Sequence, residues 1–231
     1  MNYTPEEMMT IAAARKFRDR AVCFVGVGLP SVAACVAREL HAPNITLVYE
    51  SGAIGAKPTK APLSIADLEL AETADFIVSV PEIFGYWLQG GRIDAGFLGA
   101  AQIDRFGNVN STVVGNYNSP KVRLPGAGGA PHIAANVRES VVMVRQTPKA
   151  FVARLDFITT ARAQARTTVV TDLGILEMHP VSRELVLTSR YAGVGVEQIR
   201  EATGWDLQIS EGLTETGEPT ERELAVLREL G

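Results

Sequence analysis

Ile45-Thr46-Leu47-Val48-Tyr49-Glu50-Ser51-Gly52 carries an apolar, β-branched run straight into a carboxylate and a glycine turn. A short run of this composition, bounded by turn residues, reads as a buried strand. In open α/β sheets ligands gather outside the carboxyl ends of such strands, which puts Glu50 where a reagent would stand. Position alone fits a solvated loop carboxylate better, so the flanking sequence has to raise the catalytic reading.

On both sides of this stretch, strands and helices alternate. The spacing predicts a helix over 5–19, a strand over 21–25, a helix over 31–40 and the strand over 45–49 that delivers Glu50. Beyond a loop rich in Pro and Gly follow a strand over 76–79, a helix over 81–89 and a buried strand over 93–98. This is the pattern of an α/β fold with a mixed, mostly parallel sheet flanked by helices. From residue 141 the strands become shorter, over 141–144, 168–171, 175–178 and 185–188, with His179 to Arg183 as a hairpin turn. Helices over 196–203 and 221–230 close the chain, and a single domain, 1–231, accounts for all of it.

Composition excludes several classes. The 22 basic and 26 acidic residues give a net charge of −4, which offers no footprint for nucleic acid. Cys23 falls in an apolar strand and Cys35 in a helix, without disulfide or metal spacing, and His41, His132 and His179 form no metal pattern. Thr4-Pro5-Glu6-Glu7 reads as a capped helix start rather than a signal peptide, and no run is long enough to span a membrane. A cytoplasmic location is the expectation.

Four glycine-bearing loops fall at strand ends. Gly26-Val27-Gly28-Leu29-Pro30 follows the first strand and precedes a helix, where main chain can approach a ligand. It lacks the third glycine of a dinucleotide fingerprint and any Gly-Lys-Ser/Thr, so it supports no nucleotide site of those kinds. Glu50 to Ala56 is the second loop, and Gly99 to Asp104 with Phe106 to Asn110 the third. Gly126-Ala127-Gly128-Gly129-Ala130 is the fourth, with residues small enough for main-chain N–H groups to close on a developing oxyanion.

These segments occur together and in one order. With Gly107 to Thr112, Pro120 to Arg123 and Val170-Thr171-Asp172, they resemble the B (β) subunit of class I coenzyme A transferases, which include glutaconate CoA-transferase and the two-subunit 3-oxo-acid CoA-transferases. Tyr49 to Pro58, Glu69 to Asp75 and Tyr86 to Asp94 are most similar to the 3-oxoadipate CoA-transferases of aromatic degradation. The resemblance implies the CoA-transferase-type fold and an A (α) subunit as partner in an α2β2 or larger assembly. Coenzyme A then enters as a substrate, with no resident cofactor and no metal. It also implies Glu50 as nucleophile, succinyl-CoA as donor and 3-oxoadipate as acceptor. Gly126, Gly128 and Gly129 become the oxyanion and CoA-binding loop, while Gly26, Gly28, Ser51, Gly52 and Gln102 lie near the substrate or CoA.

Some residues admit two readings. Gln102 either orients substrate or ties down the turn from Asp104 to Asn108, and Lys57, Lys60, Lys121 and Arg123 are either CoA-phosphate contacts or plain surface. The aromatic run Phe84 to Leu88 reads as core packing or as a partner contact. Relatives carry a glycine-rich insertion between the segments matching Asp156 to Thr159 and Val169 to Asp172, where this chain has only Thr160 to Thr167. A CoA-thioester hydrolase or decarboxylase on the same scaffold, and a non-catalytic effector-binding module, are the alternatives.

Overall fold

The computed structural model describes residues 2–161 and 166–230. α1 (Pro5–Ala14) starts with Thr4 and Glu7 each accepting the other's backbone N–H, so the sequence signature forms as a reciprocal cap. The helix stops at Ala14 rather than at residue 19. Lys16 and Phe17 donate back to Ala13 and Ala14, and Arg20, at φ 63°, turns the chain into β1 (Val22–Val25).

The chain continues through α2 (Leu29–Leu40), β2 (Thr46–Val48), β3 (Ala53–Ile54), α3 (Leu68–Glu72), β4 (Phe76–Ile77) and α4 (Val80–Glu82), which runs into a π-helical segment, Ile83–Gln89. Next come β5 (Ala95–Gly99), β6 (Gln102–Ile103), β7 (Val109–Asn110), β8 (Val113–Asn116), β9 (Ser119–Arg123), α5 (Ala130–Asn136) and β10 (Glu139–Met143). The last third holds β11 (Arg166–Val170), β12 (Gly174–Met178), β13 (Leu185–Tyr191), α6 (Val196–Glu201), β14 (Gln208–Thr216) and α7 (Glu221–Leu230).

Ten strands form one sheet in the order β14-β13-β12-β11-β10-β5-β1-β2-β3-β4. The block from β11 to β2 is parallel throughout, and antiparallel pairs flank it on both sides. This is the mixed, mostly parallel sheet that the alternating pattern predicts. β1 lies between β2 and β5, both parallel to it, so the chain leaves β1 toward one side and returns on the other. The carboxyl end of β1 is therefore a topological switch point, and the register Phe24 against Val48 brings the Gly26 loop and Glu50 to that same end.

Alternation within the strands supplies both faces of the sheet. Cys23, Val25, Leu47 and Phe97 pack beneath α1, α2 and α7, with Phe17 stacked on Phe97 at 3.6 Å between ring centroids. Phe24, Val48 and Leu98 face the other way, under Ile83 and Leu88 of the π segment and Ile133 of α5. A fully buried side chain of this size contributes about 1.5–3 kcal/mol. Both helical layers thus hold the strand ends, and the loops that leave them, in fixed places. Among the described residues no helix is long and apolar enough to cross a membrane.

Candidate active site

Glu50 stands at the corner of a tight turn. Tyr49 N–H donates to Ala53 O and Gly52 N–H to Tyr49 O, each at 3.0 Å, which leaves Glu50 and Ser51 as the two central turn residues. The turn depends on Gly52. Its φ is +107°, and a Cβ there would run into the carbonyl oxygen of Val78, whose own N–H donates to Gly52 O at 3.0 Å. Tyr49 beneath it is fully buried, and burial pushes its hydroxyl well above the ordinary phenol range. The carboxylate itself is half-buried and has no hydrogen bond or ion pair among the described residues.

The fourth glycine loop comes up against that carboxylate. A Cβ placed on Gly128 would stand 3.9 Å from both Glu50 carboxylate oxygens, and one on Gly129 would stand 3.2 Å from Glu50 Oε1. The same Gly129 position lies 2.7 Å from Phe84 Cζ, so a side chain there would have to displace the ring or the carboxylate. The N–H groups of Gly128 and Gly129 make no backbone hydrogen bond among the described residues. The loop is clamped at its base: Gly126 N–H donates to Ser111 O at 2.8 Å, and Ser111 Oγ donates to Gly126 O at 2.9 Å. Ser111 N–H in turn donates to Thr159 Oγ1 at 2.9 Å. Two free main-chain donors and a free carboxylate therefore share one corner, on supports that are themselves tied down.

Gly26 and Gly28 lie one strand away. Gly26 N–H extends the β1–β5 ladder to Phe97 O at 3.0 Å, its own carbonyl accepts from Ser31 Oγ, and Gly28 opens α2. Ser51 is exposed at the turn tip. Gln102 makes its hydrogen bonds away from this corner. Its Oε1 accepts from Asn110 Nδ2 at 2.7 Å, and its Nε2 points to Asp156 Oδ2 at 3.4 Å and Lys149 O at 3.5 Å. It lines a separate cavity of about 510 Å³ with Val114, Val122, Lys149, Arg154 and Asp156.

The basic candidates are dispersed. Lys57 pairs with Asp75, and Arg123 lies over the Tyr117 ring while donating to Tyr117 O. Burial pushes the Cys23 thiol up to about 12 and the Cys35 thiol up to about 11, so neither offers a thiolate at neutral pH. No group of three or more His, Cys, Asp and Glu residues suited to a metal occurs among the described residues.

Phe84 is the neighbour of Glu50 that sequence reasoning did not single out. Its aromatic run was visible, but nothing in a linear reading of that run points its ring at residue 50. The helix predicted over 81–89 is α-helical only through Glu82 and then widens to the π segment. In that segment Tyr86 is exposed, Phe84 and Trp87 are half-buried, and Ile83 and Leu88 belong to the core.

A free carboxylate at a switch point beside a glycine loop is a constellation suited to covalent acyl chemistry. Residues 6–202 match the coenzyme A transferase family, and the chain belongs to that family. It is 53% identical to the B (β) subunit of 3-oxoadipate CoA-transferase from Pseudomonas knackmussii, covering 99% of this chain and 93% of that one. The B (β) subunit of glutaconate CoA-transferase from Acidaminococcus fermentans is 32% identical over 92% of this chain and 86% of the relative. The crystal structure of the same glutaconate enzyme superposes with a TM-score of 0.90 over 99% of this chain and 95% of that one, at 30% identity. The decarboxylase AibA/AibB superposes with a TM-score of 0.89 at 31% identity, again over 99% and 95%.

Proposed function

We propose that this chain is the β subunit of a two-subunit CoA-transferase that moves coenzyme A from succinyl-CoA to 3-oxoadipate through a thioester on Glu50. The single observation that carries the reading is the free Glu50 carboxylate against Gly128 and Gly129, whose N–H groups are uncommitted. The 53% identity to the matching subunit of a 3-oxoadipate CoA-transferase supports the choice of acid and the need for an α subunit.

The chemistry follows from what must be conserved. Moving CoA between two carboxylic acids changes little free energy, so the enzyme needs an acceptor that is itself a carboxylate. Glu50 attacks the acyl-CoA carbonyl and expels the CoA thiolate, leaving a mixed anhydride. The thiolate then attacks the glutamyl carbonyl, releasing the donor acid and forming the glutamyl-CoA thioester. The incoming acid reverses both steps, leaves as a new acyl-CoA and restores the Glu50 carboxylate. Each addition passes through a tetrahedral oxyanion, and the uncommitted Gly128 and Gly129 N–H groups are the donors we assign to it. One such donor is worth about 3 kcal/mol of transition-state stabilisation.

The structural likeness to a decarboxylase keeps one second reading in view, a decarboxylase on this scaffold. The test is to assemble the chain with its α subunit and assay succinyl-CoA against a panel of 3-oxo and dicarboxylic acids. CoA appearing on 3-oxoadipate, with no free CoA or CO2 in its absence, is the expected result. Release of CO2 without an acceptor acid overturns the transfer reading.

A further inference from the structure

The π segment does more than fill the sheet face. A π-helix bonds residue i to i+5 and is found in short pieces, frequently at functional sites. Here Ile83 and Leu88, five residues apart, are both completely buried, which is the π spacing rather than the three or four of an α-helix. Anchoring these two in the core under Phe24 and Ile133 leaves Phe84 at the edge of the buried face. Its ring then leans out toward Gly129, with its tip and Glu50 Oε1 both within 3.2 Å of one point, the missing Cβ of that glycine. Phe24 supports the ring from the core side at 6.0 Å between centroids, and His132 of α5 meets it edge-on at 5.9 Å and 71°. The apolar ring stands against an otherwise unpartnered carboxylate and occupies space from which water would approach.

We propose that Phe84 is a fidelity residue, one that keeps water off the glutamyl-CoA thioester so that the intermediate waits for an acid instead of hydrolysing. The inference rests on the Glu50 thioester reading above. The reaction it suppresses is balanced and simple. Water oxygen attacks the glutamyl carbonyl, the carbon–sulfur bond breaks, CoA leaves as its thiol with a proton from the water, and Glu50 returns as carboxylate with no acid activated. A transferase can tolerate this loss only if the attack is slow compared with the arrival of the acceptor, and excluding water from a closing site is a recognised way to make it slow.

The test uses the assembled two-subunit enzyme. Free thiol released from succinyl-CoA in the absence of acceptor is measured against transfer in its presence, for the native protein and for Phe84→Ala. The ratio of hydrolysis to transfer is expected to rise by about tenfold or more in the variant, with the CoA adduct still formed on Glu50. Phe84→Met keeps an apolar side chain of similar size and is expected to raise the ratio less; it decides the matter if the alanine variant does not fold. A ratio equal to the native one, with transfer merely slower, assigns Phe84 to packing alone and overturns the proposal. Failure of the underlying reading looks different, since native enzyme would then carry no CoA on Glu50 at all.

Discussion

Two corners at the carboxyl end of this sheet are both built from glycine-rich motifs, yet they end in opposite states. Around Glu50 the backbone is heavily tied, through Gly52, Ser111 and Gly126, while the carboxylate those ties position has no partner of its own among the described residues. Around Gln102 the side chains are the ties: Asn110 donates to Gln102 Oε1 and Val113 O, and Asp156 accepts from Gln102 and from Gly115 N–H. The Asp104 carboxylate is likewise committed, to the N–H groups of Phe106 and Asn108. One corner leaves its carboxylate free and the other spends its polar side chains on one another. The difference between the corners is between a free carboxylate on a fixed support and the fixing itself.

Substitutions can break that distinction. The largest effect is expected at Glu50→Ala, where transfer falls by roughly three orders of magnitude or more. Thermal stability should hold or rise slightly, because the group removed is half-buried and unpaired. Loss of folding in this variant would show that Glu50 belongs to the scaffold. Gly129→Ala comes next. Its Cβ meets both Phe84 and Glu50, so kcat is expected to drop by about 10²-fold as donor and carboxylate are pushed apart. Near-native kcat would show that the contact is loose. Gln102→Ala should do the reverse, costing about 1–3 kcal/mol in denaturant unfolding by orphaning Asn110, while kcat at saturating substrate stays within a few-fold of native. A stable but inactive Gln102→Ala would erase the contrast.

The smallest effect lies far from both corners, between α1 and α7. Arg228 hydrogen-bonds Glu7 at 2.7 Å and, with the Thr4 N–H, holds its carboxyl down at about 2. A carboxyl lower in the folded state than in the unfolded one stabilises the fold above about 4.5 and loses that contribution as pH falls toward 2. Arg228→Leu should therefore lower stability slightly at neutral pH and flatten its fall between pH 4.5 and 2, with activity intact. Thermal melts across that range check it.

Much of this was legible in the chain because the signals are local. The strand into Glu50, the alternation up to residue 98, and the His179 to Arg183 turn follow from apolar runs bounded by turn residues, and each forms: His179 N–H donates to Glu184 O, and Arg183 takes φ 58°. What could not be read depends on distant partners. β6 to β9 are strands of a few residues inside what the sequence presents as loops, and they exist through pairing with one another and with Phe151 and Thr160. β14 is a polar edge strand interrupted by Gly212, with no apolar alternation to announce it. A helix of about two turns is too short to tell a π from an α period in sequence, so the placement of Phe84 was hidden for the same reason. The hydrogen bonds of Gln102 depend on Asn110 and Asp156, neither of which its own turn reveals. Of the short Thr160 to Thr167 connection, residues 162–165 lie outside the described residues.

The central claim is that Glu50 is a covalent carrier, and mass determination tests it most directly. The assembled enzyme is incubated with succinyl-CoA without acceptor, digested, and the CoA-bearing peptide mapped. A covalent carrier at this position gives one CoA mass increment on the peptide holding Glu50, lost on treatment with borohydride together with activity, and absent in Glu50→Ala. An increment on any other residue, or full transfer activity with no covalent CoA, would contradict it.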